Sequence, residues 1–147
     1  MTFDAGFAPT QLAARAAYLL RGNDLGVMTS AAPRLYPHMW SWDAAFVAVG
    51  LASLSVERAV VELDTLLSAQ WTNGMIPHIV FAPGVQGYFP GPDRWACSEL
   101  AAAAPAGRQT SGITQPPVHA IAVQRILDRA RVRGRSTRAV AETFLDR

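Results

Sequence analysis

A chain of 147 residues, 50% of them hydrophobic, is long enough for one domain with a buried core. Only 16% of the residues are charged and the net charge is +2, too small to imply a polyanionic partner. Cys97 is the one cysteine, which excludes an internal disulfide.

The opening MTFDAGFAPTQLAARAAYLLR has an early acid and no basic stretch before an apolar run, so it does not read as a signal peptide. The longest apolar run, Ala44 to Leu54, falls well short of the ~20 residues of a membrane span. Both features point to a soluble, cytoplasmic protein. Residues 9–21 predict a first helix, with Leu12, Ala16, Leu19 and Leu20 on one face and Gly22-Asn23 as its stop. A loop follows over 22–41. Residues 42–54, WDAAFVAVGLASL, predict a helix that is apolar on every face and therefore buried all round.

Ser55 is placed to cap a third helix over 56–71. Val56, Ala59, Val60, Leu63, Leu66 and Leu67 make its apolar stripe, with Glu57, Arg58, Glu62 and Asp64 mostly off it. Thr72-Asn73-Gly74 ends it. Residues 74–114 form a long loop, and loops of that length inside a domain are usually functional or disordered. Phe81, Tyr88, Phe89 and Trp95 argue against disorder, which is poor in aromatics. IPHIVF, at 76–81, is the one strand candidate.

Gln115-Pro116-Pro117 predicts the opening of a fourth helix over 116–133, with proline in its first turn and Gly134 as its stop. Val118, Ile121, Ala122, Arg125 and Ile126 follow helical spacing there. Ser136 or Thr137 caps a fifth helix that reaches Arg147 and leaves Phe144 and Leu145 exposed. Long loop, inner helix, short turn and outer helix thus occur twice, over 22–71 and over 74–147. The expected fold is all-α, built of αα-hairpins.

Tyr36, Trp40, Trp42 and Asp43 are the first candidate site. Aromatic faces stack on the apolar faces of sugar rings, and a carboxylate accepts from two hydroxyls at once. One tryptophan would face a cavity while the other packs beneath. On spacing alone an aromatic corner with Asp43 as a helix cap is favoured. Gln115 occupies the equivalent junction before the next inner helix, where a plain capping role is again the simpler one. If the two inner helices run parallel, both sets meet at one end of the bundle. Tyr88, in GYFPGPDRW, reads equally as a packed aromatic on a turn.

His38, His78 and His119 have no ligand spacing, so no metal site is expected. Arg125, Arg129, Arg131, Arg133, Arg135 and Arg138 read as a solvated face near a helix C-terminus, not as a nucleic-acid contact.

Together, YPHMWSWD, the 42–71 hairpin, NGMIPHIVF, YFPGPDRW and SGITQPP resemble the N-terminal part of six-hairpin (α/α)6-barrel glycosidases. The similarity, over residues 8–145, is to the glycoside hydrolase family 63 branch of mannosylglycerate and glucosylglycerate hydrolases. It implies the first part of an (α/α)6 barrel, a single partial domain over 1–147. It implies inverting hydrolysis of an α-glycosidic bond, releasing a hexose and glycerate, with a carboxylic acid and a carboxylate base. It implies a small glycoside substrate, no cofactor, and no nucleic-acid or membrane partner.

By the same resemblance, Tyr36, Trp40, Trp42 and Asp43 match the sugar end of the pocket. Tyr88 matches a mobile loop that closes over substrate, and Gln115 a substrate-contacting glutamine. His78 is a weaker match near the pocket floor. The family's general acid and base lie beyond the matched stretch, so no catalytic residue is assigned and Asp43 reads as a binding carboxylate. The expectation is therefore an N-terminal fragment, about the first third of such an enzyme, inactive alone. The alternative is a short helical binding or assembly module without catalysis, its open barrel edge covered by a second copy of itself or by a partner.

Overall fold

A computed structural model describes residues 9–145. In chain order these form α1 (Pro9–Gly22), β1 (Met39–Trp40), α2 (Ser41–Ala52), α3 (Val56–Leu67), β2 (Ile79–Val80), the single-turn helices α4 (Pro92–Trp95) and α5 (Cys97–Leu100), α6 (His119–Val132) and α7 (Thr137–Leu145). The arrangement is helical, as the apolar spacing predicts, with one small ribbon added.

Helix α2 is the centre of the packing, with α3 and α6 against it. Its buried face is mostly alanine: Ala44, Ala45, Ala48 and Ala52, with Leu51. Such small side chains let neighbouring helices approach closely, and the core continues into Ala59, Leu63 and Leu66 of α3 and Ala122, Ile126 and Ala130 of α6. The two inner helices run parallel. At one end Ser41 Oγ lies 2.9 Å from Nε2 of His119, joining the first residues of α2 and α6. At the other end the Arg133 guanidinium donates to the carbonyls of Leu54 and Ser53, just past the end of α2.

The caps follow local chemistry. Ser55 takes an extended backbone (φ −147°) and its Oγ accepts the Arg58 N–H at 3.2 Å, starting α3. Ser136, not Thr137, caps α7, accepting from Ala139 N at 3.2 Å. Gly134, at φ +64°, ends α6. Its N–H reaches the Arg131 carbonyl at 3.1 Å, and that of Arg135 reaches Ala130 at 2.8 Å, a Schellman closure.

Several expectations need correction. Helix α2 is not buried all round: Phe46 is 61% exposed and Trp42 41%. Besides α3 and α6, helix α2 meets the end of α1, where Leu20 lies over Gly50. In α1, Leu12, Ala16 and Leu19 are exposed and Leu20 alone of the predicted stripe packs on the core. Helix α3 ends at Leu67, not at 71, because the chain turns away and buries Trp71, whose indole N–H donates to Thr110 Oγ1 at 3.0 Å.

Helix α6 begins at His119, not at 116. Pro117 disfavours helical backbone at Pro116, and Pro116 does the same to Gln115. Its buried residues are His119, Ala122, Ile126 and Ala130, whereas Ile121 is 60% exposed. Phe144 of α7 packs partly against the core instead of standing free, while Leu145 is exposed. The expected continuation of α7 to Arg147, and the match at residue 8, lie outside the described residues.

The ribbon pairs Met39 with Val80 and Trp40 with Ile79, antiparallel. Residues 109–113 flank its other side, through Phe81 N to Gln109 O (2.9 Å), Ser111 N to Ile79 O (3.0 Å) and His78 N to Ile113 O (2.7 Å). Both long loops are thereby stitched together at the N-terminal ends of the inner helices.

Candidate functional site

The backbone changes from strand to helix between Trp40 and Trp42. Trp40 therefore packs down, 7% exposed, while Trp42 stands at the surface, 41% exposed. Tyr36 leans its ring on Trp40, with centroids 5.1 Å apart at 83°. Asp43 lies in the first turn of α2, where the helix dipole favours its charge. Gln115 arrives on the segment before α6, and its Oε1 accepts the Trp42 N–H at 3.0 Å. A backbone N–H can only donate, so this contact fixes which amide atom is the oxygen.

Tyr36, Trp40, Trp42, Asp43 and Gln115 line one cavity of about 300 Å³. Five of the seven residues selected from sequence thus converge on one place, from two junctions far apart in the chain. The cavity offers aromatic faces, one carboxylate, a phenol and an amide. Among the described residues, neither the Asp43 carboxylate nor the Gln115 Nε2 has a hydrogen-bond partner. Acceptor, donor and flat apolar wall in one small space suit a polyhydroxylated ring.

The other two selected residues sit beside this cavity. Tyr88 packs its ring against Trp40, with centroids 5.6 Å apart at 79°, and lines a neighbouring cavity of about 310 Å³ under the 84–93 loop. His78 pairs its Nδ1 with Ser111 Oγ at 3.1 Å and lies 6.4 Å from the Trp95 ring centroid. Burial pushes its pKa below the ordinary value, and the nearby charge of Asp43 pulls the other way.

Sequence reasoning missed the supports. His38 is 1% exposed, and its Nδ1 accepts the Ala82 N–H at 3.1 Å. Ser41 and His119, both buried, lock the two helix starts on which Asp43 and Gln115 depend. Burial lowers the pKa of His38, and also that of His119, where a hydrogen bond with Ser41 partly counters it. No spacing signal marks these residues, since their partners are remote in the chain.

Helical hairpins with parallel inner helices, and an aromatic–carboxylate cavity at their N-terminal ends, define the class: this is part of a helical glycosidase fold. The profile of the mannosylglycerate hydrolase MGH1-like glycoside hydrolase domain matches residues 36–147, and the chain belongs to that family. Over 147 residues it is 82% identical to the glucosylglycerate hydrolase of Mycolicibacterium hassiacum, covering all of this chain and 33% of that protein. It is 47% identical over 126 residues to the mannosylglycerate hydrolase of Rubrobacter radiotolerans, covering 86% of this chain and 28% of that one.

Among solved structures, the GH63 mannosylglycerate hydrolase from Thermus thermophilus in complex with Tris is similar at a TM-score of 0.66 and 41% identity, over 82% of this chain and 30% of that one. The chain covers between 22% and 33% of the length of the curated relatives it matches. No helix among the described residues is long and apolar enough to cross a membrane.

Proposed function

We propose that this chain forms the sugar-holding wall of an inverting α-glycoside hydrolase site, with glucosylglycerate the favoured substrate over mannosylglycerate. Trp42 and Tyr36 offer faces to the hexose, Asp43 accepts from its hydroxyls, and Gln115 donates through Nε2. Tyr88 covers the bound sugar, and His78 borders the pocket floor. The carrying observation is the convergence of Tyr36, Trp40, Trp42, Asp43 and Gln115 on one cavity. The 82% identity to a glucosylglycerate hydrolase supports the choice of substrate.

Inverting hydrolysis needs an acid and a base about 6.5–9.5 Å apart. Asp43 is the one carboxylate lining this cavity among the described residues, so it is assigned to binding. The 147-residue chain then binds the glycoside without cleaving it. Titration calorimetry with glucosylglycerate, alongside a glucose-release assay, tests this. Saturable heat with no release is the expected result. Release at an enzyme-like rate overturns the assignment of Asp43, and the absence of saturable heat overturns the binding site.

A second reading, an assembly module, is favoured by the exposed side of the inner helices. Phe46 and Ile121 are 61% and 60% exposed there. A cavity of about 290 Å³ between Val49, Ser53, Arg125, Asp128, Arg129 and Val132 continues this side toward the other end. In this reading a second copy covers it.

A further inference from the structure

His38 is enclosed by three aromatic rings. Its imidazole lies at 29° to the Trp40 ring, 5.8 Å between centroids. Phe81 stands nearly perpendicular at 4.9 Å, and Tyr88 at 88° and 4.8 Å. The residue is only 1% exposed, a place where phenylalanine would avoid the cost of burying polar atoms. The imidazole adds one thing a phenyl ring lacks, which is a directional acceptor. Nδ1 takes the Ala82 N–H at 3.1 Å, so in the neutral ring Nε2 carries the proton.

That bond removes the freedom of the ring to turn about its own axis. It ties the segment leading into β1 to the residue that follows Phe81, where the 84–93 loop departs. Nε2 is buried without a hydrogen-bond acceptor among the described residues. Tyr88 in turn touches Trp40, which lines the candidate sugar cavity.

We propose that His38 is a positioning residue for Tyr88: its imidazole, oriented by the Ala82 N–H, sets the Tyr88 ring against Trp40 and so fixes the wall between the two neighbouring cavities. It touches no sugar itself. The consequence for glycoside affinity rests on the proposed function above, whereas the placement of Tyr88 does not.

The test is NMR of the 147-residue chain with ring-labelled tyrosine, which reports Tyr18, Tyr36 and Tyr88 separately. The wild type is expected to show contacts between the His38 and Tyr88 ring protons. His38→Asn keeps an acceptor for Ala82 and removes the ring, so the Tyr88 signal moves toward that of an unstructured tyrosine while that of Tyr18 stays. His38→Phe restores a ring without the acceptor and leaves the Ala82 N–H unpaired, so the Tyr88 signal is expected to return only part of the way, and full return overturns the role of the Ala82 bond. Glucosylglycerate affinity is expected to fall about 10-fold in His38→Asn and to recover only in part in His38→Phe.

A purely structural role would lower the melting temperature and leave the Tyr88 signal of the folded molecules unchanged, and that result overturns the proposal. If His38→Asn does not fold, the wild-type ring contacts decide, and their absence overturns it equally. A wild-type chain that shows the ring contacts but binds no glycoside would sink the sugar-site reading and leave the placement of Tyr88 standing.

Discussion

Oε1 of Gln115 accepts the backbone N–H of Trp42 at 3.0 Å, across 73 residues of chain. Helix α2 has no side-chain cap of its own, because its N-cap is Trp40. The missing acceptor comes from the junction that leads into the other inner helix. Capping and ligand binding, which compete as explanations of Gln115 in the sequence, are therefore compatible. Oε1 closes the helix end, and Nε2 is left for the cavity.

Substitution separates the two roles. Gln115→Ala strands the Trp42 N–H and is expected to destabilise the chain by roughly 0.5–2 kcal/mol, the usual loss for a cap. Gln115→Glu keeps an acceptor at the positive end of α2 and is expected to stay close to wild-type stability. Both lose the Nε2 donor, so both weaken glucosylglycerate binding. Urea unfolding and calorimetry on the two variants check this. Equal destabilisation of Glu and Ala would contradict the cap.

Glu62 offers a test of the outer layer. It is fully buried, and it accepts from Thr29 N (3.1 Å), Thr29 Oγ1 (2.9 Å) and Arg58 Nη2 (2.8 Å). Arg58 also holds Asp24. Glu62→Ala unpins the loop around Thr29 but leaves Arg58 its second carboxylate. The expected loss is roughly 2–3 kcal/mol, below the ~3–5 kcal/mol of a fully stranded buried charge. Glu62→Gln, which still accepts from Thr29, is expected to lose less. Urea unfolding ranks the three proteins.

Glu62 also marks where sequence pattern stops being informative. Helical spacing places it at the edge of the Val56–Leu67 stripe, and a charge at an edge reads as exposed. A loop 33 residues upstream folds over it, which local periodicity cannot register. The caps at Ser55, Ser136 and Gly134 were legible because each acts within four or five residues. The aromatic–carboxylate junction was legible as a cluster. Its supports His38, Ser41 and His119 were not, since each draws its role from a partner more than forty residues away.

Acid should weaken the fold at mild pH. His38, His78 and His119 all have pKa values held down by burial. Below about 6.5 the unfolded chain therefore binds protons that the folded chain refuses. Stability from this source is complete above that pH and falls as pH drops through the window beneath it. Glu62 acts in the opposite sense, because burial raises its pKa above 4.5 and its folded form retains a proton longer. Melting temperature is expected to fall from pH 7.5 to 5.5, and more steeply in Glu62→Gln. Asp24 and Glu57, whose pKa values are lowered, titrate below this range. A flat profile in both proteins would contradict the burial of the three imidazoles.

Phe46 tests the uncovered side of α2. It follows Trp42 by one helical turn, and partly buried Val49 continues the same side. An apolar side chain 61% exposed, next to a groove reaching Val132, gives a second copy something to bury. Phe46→Asp would set a charge in that contact, at no expense to the alanine face that packs α3 and α6. Sedimentation velocity is expected to show concentration-dependent association in the wild type and a monomer in the variant, with unchanged helix content by circular dichroism. If wild type and variant are both monomeric throughout, the exposed side takes no second copy and the assembly reading falls. If both associate equally, the contact lies elsewhere, and α1 becomes the place to look, because Leu12, Tyr18 and Leu19 are each more than half exposed along it.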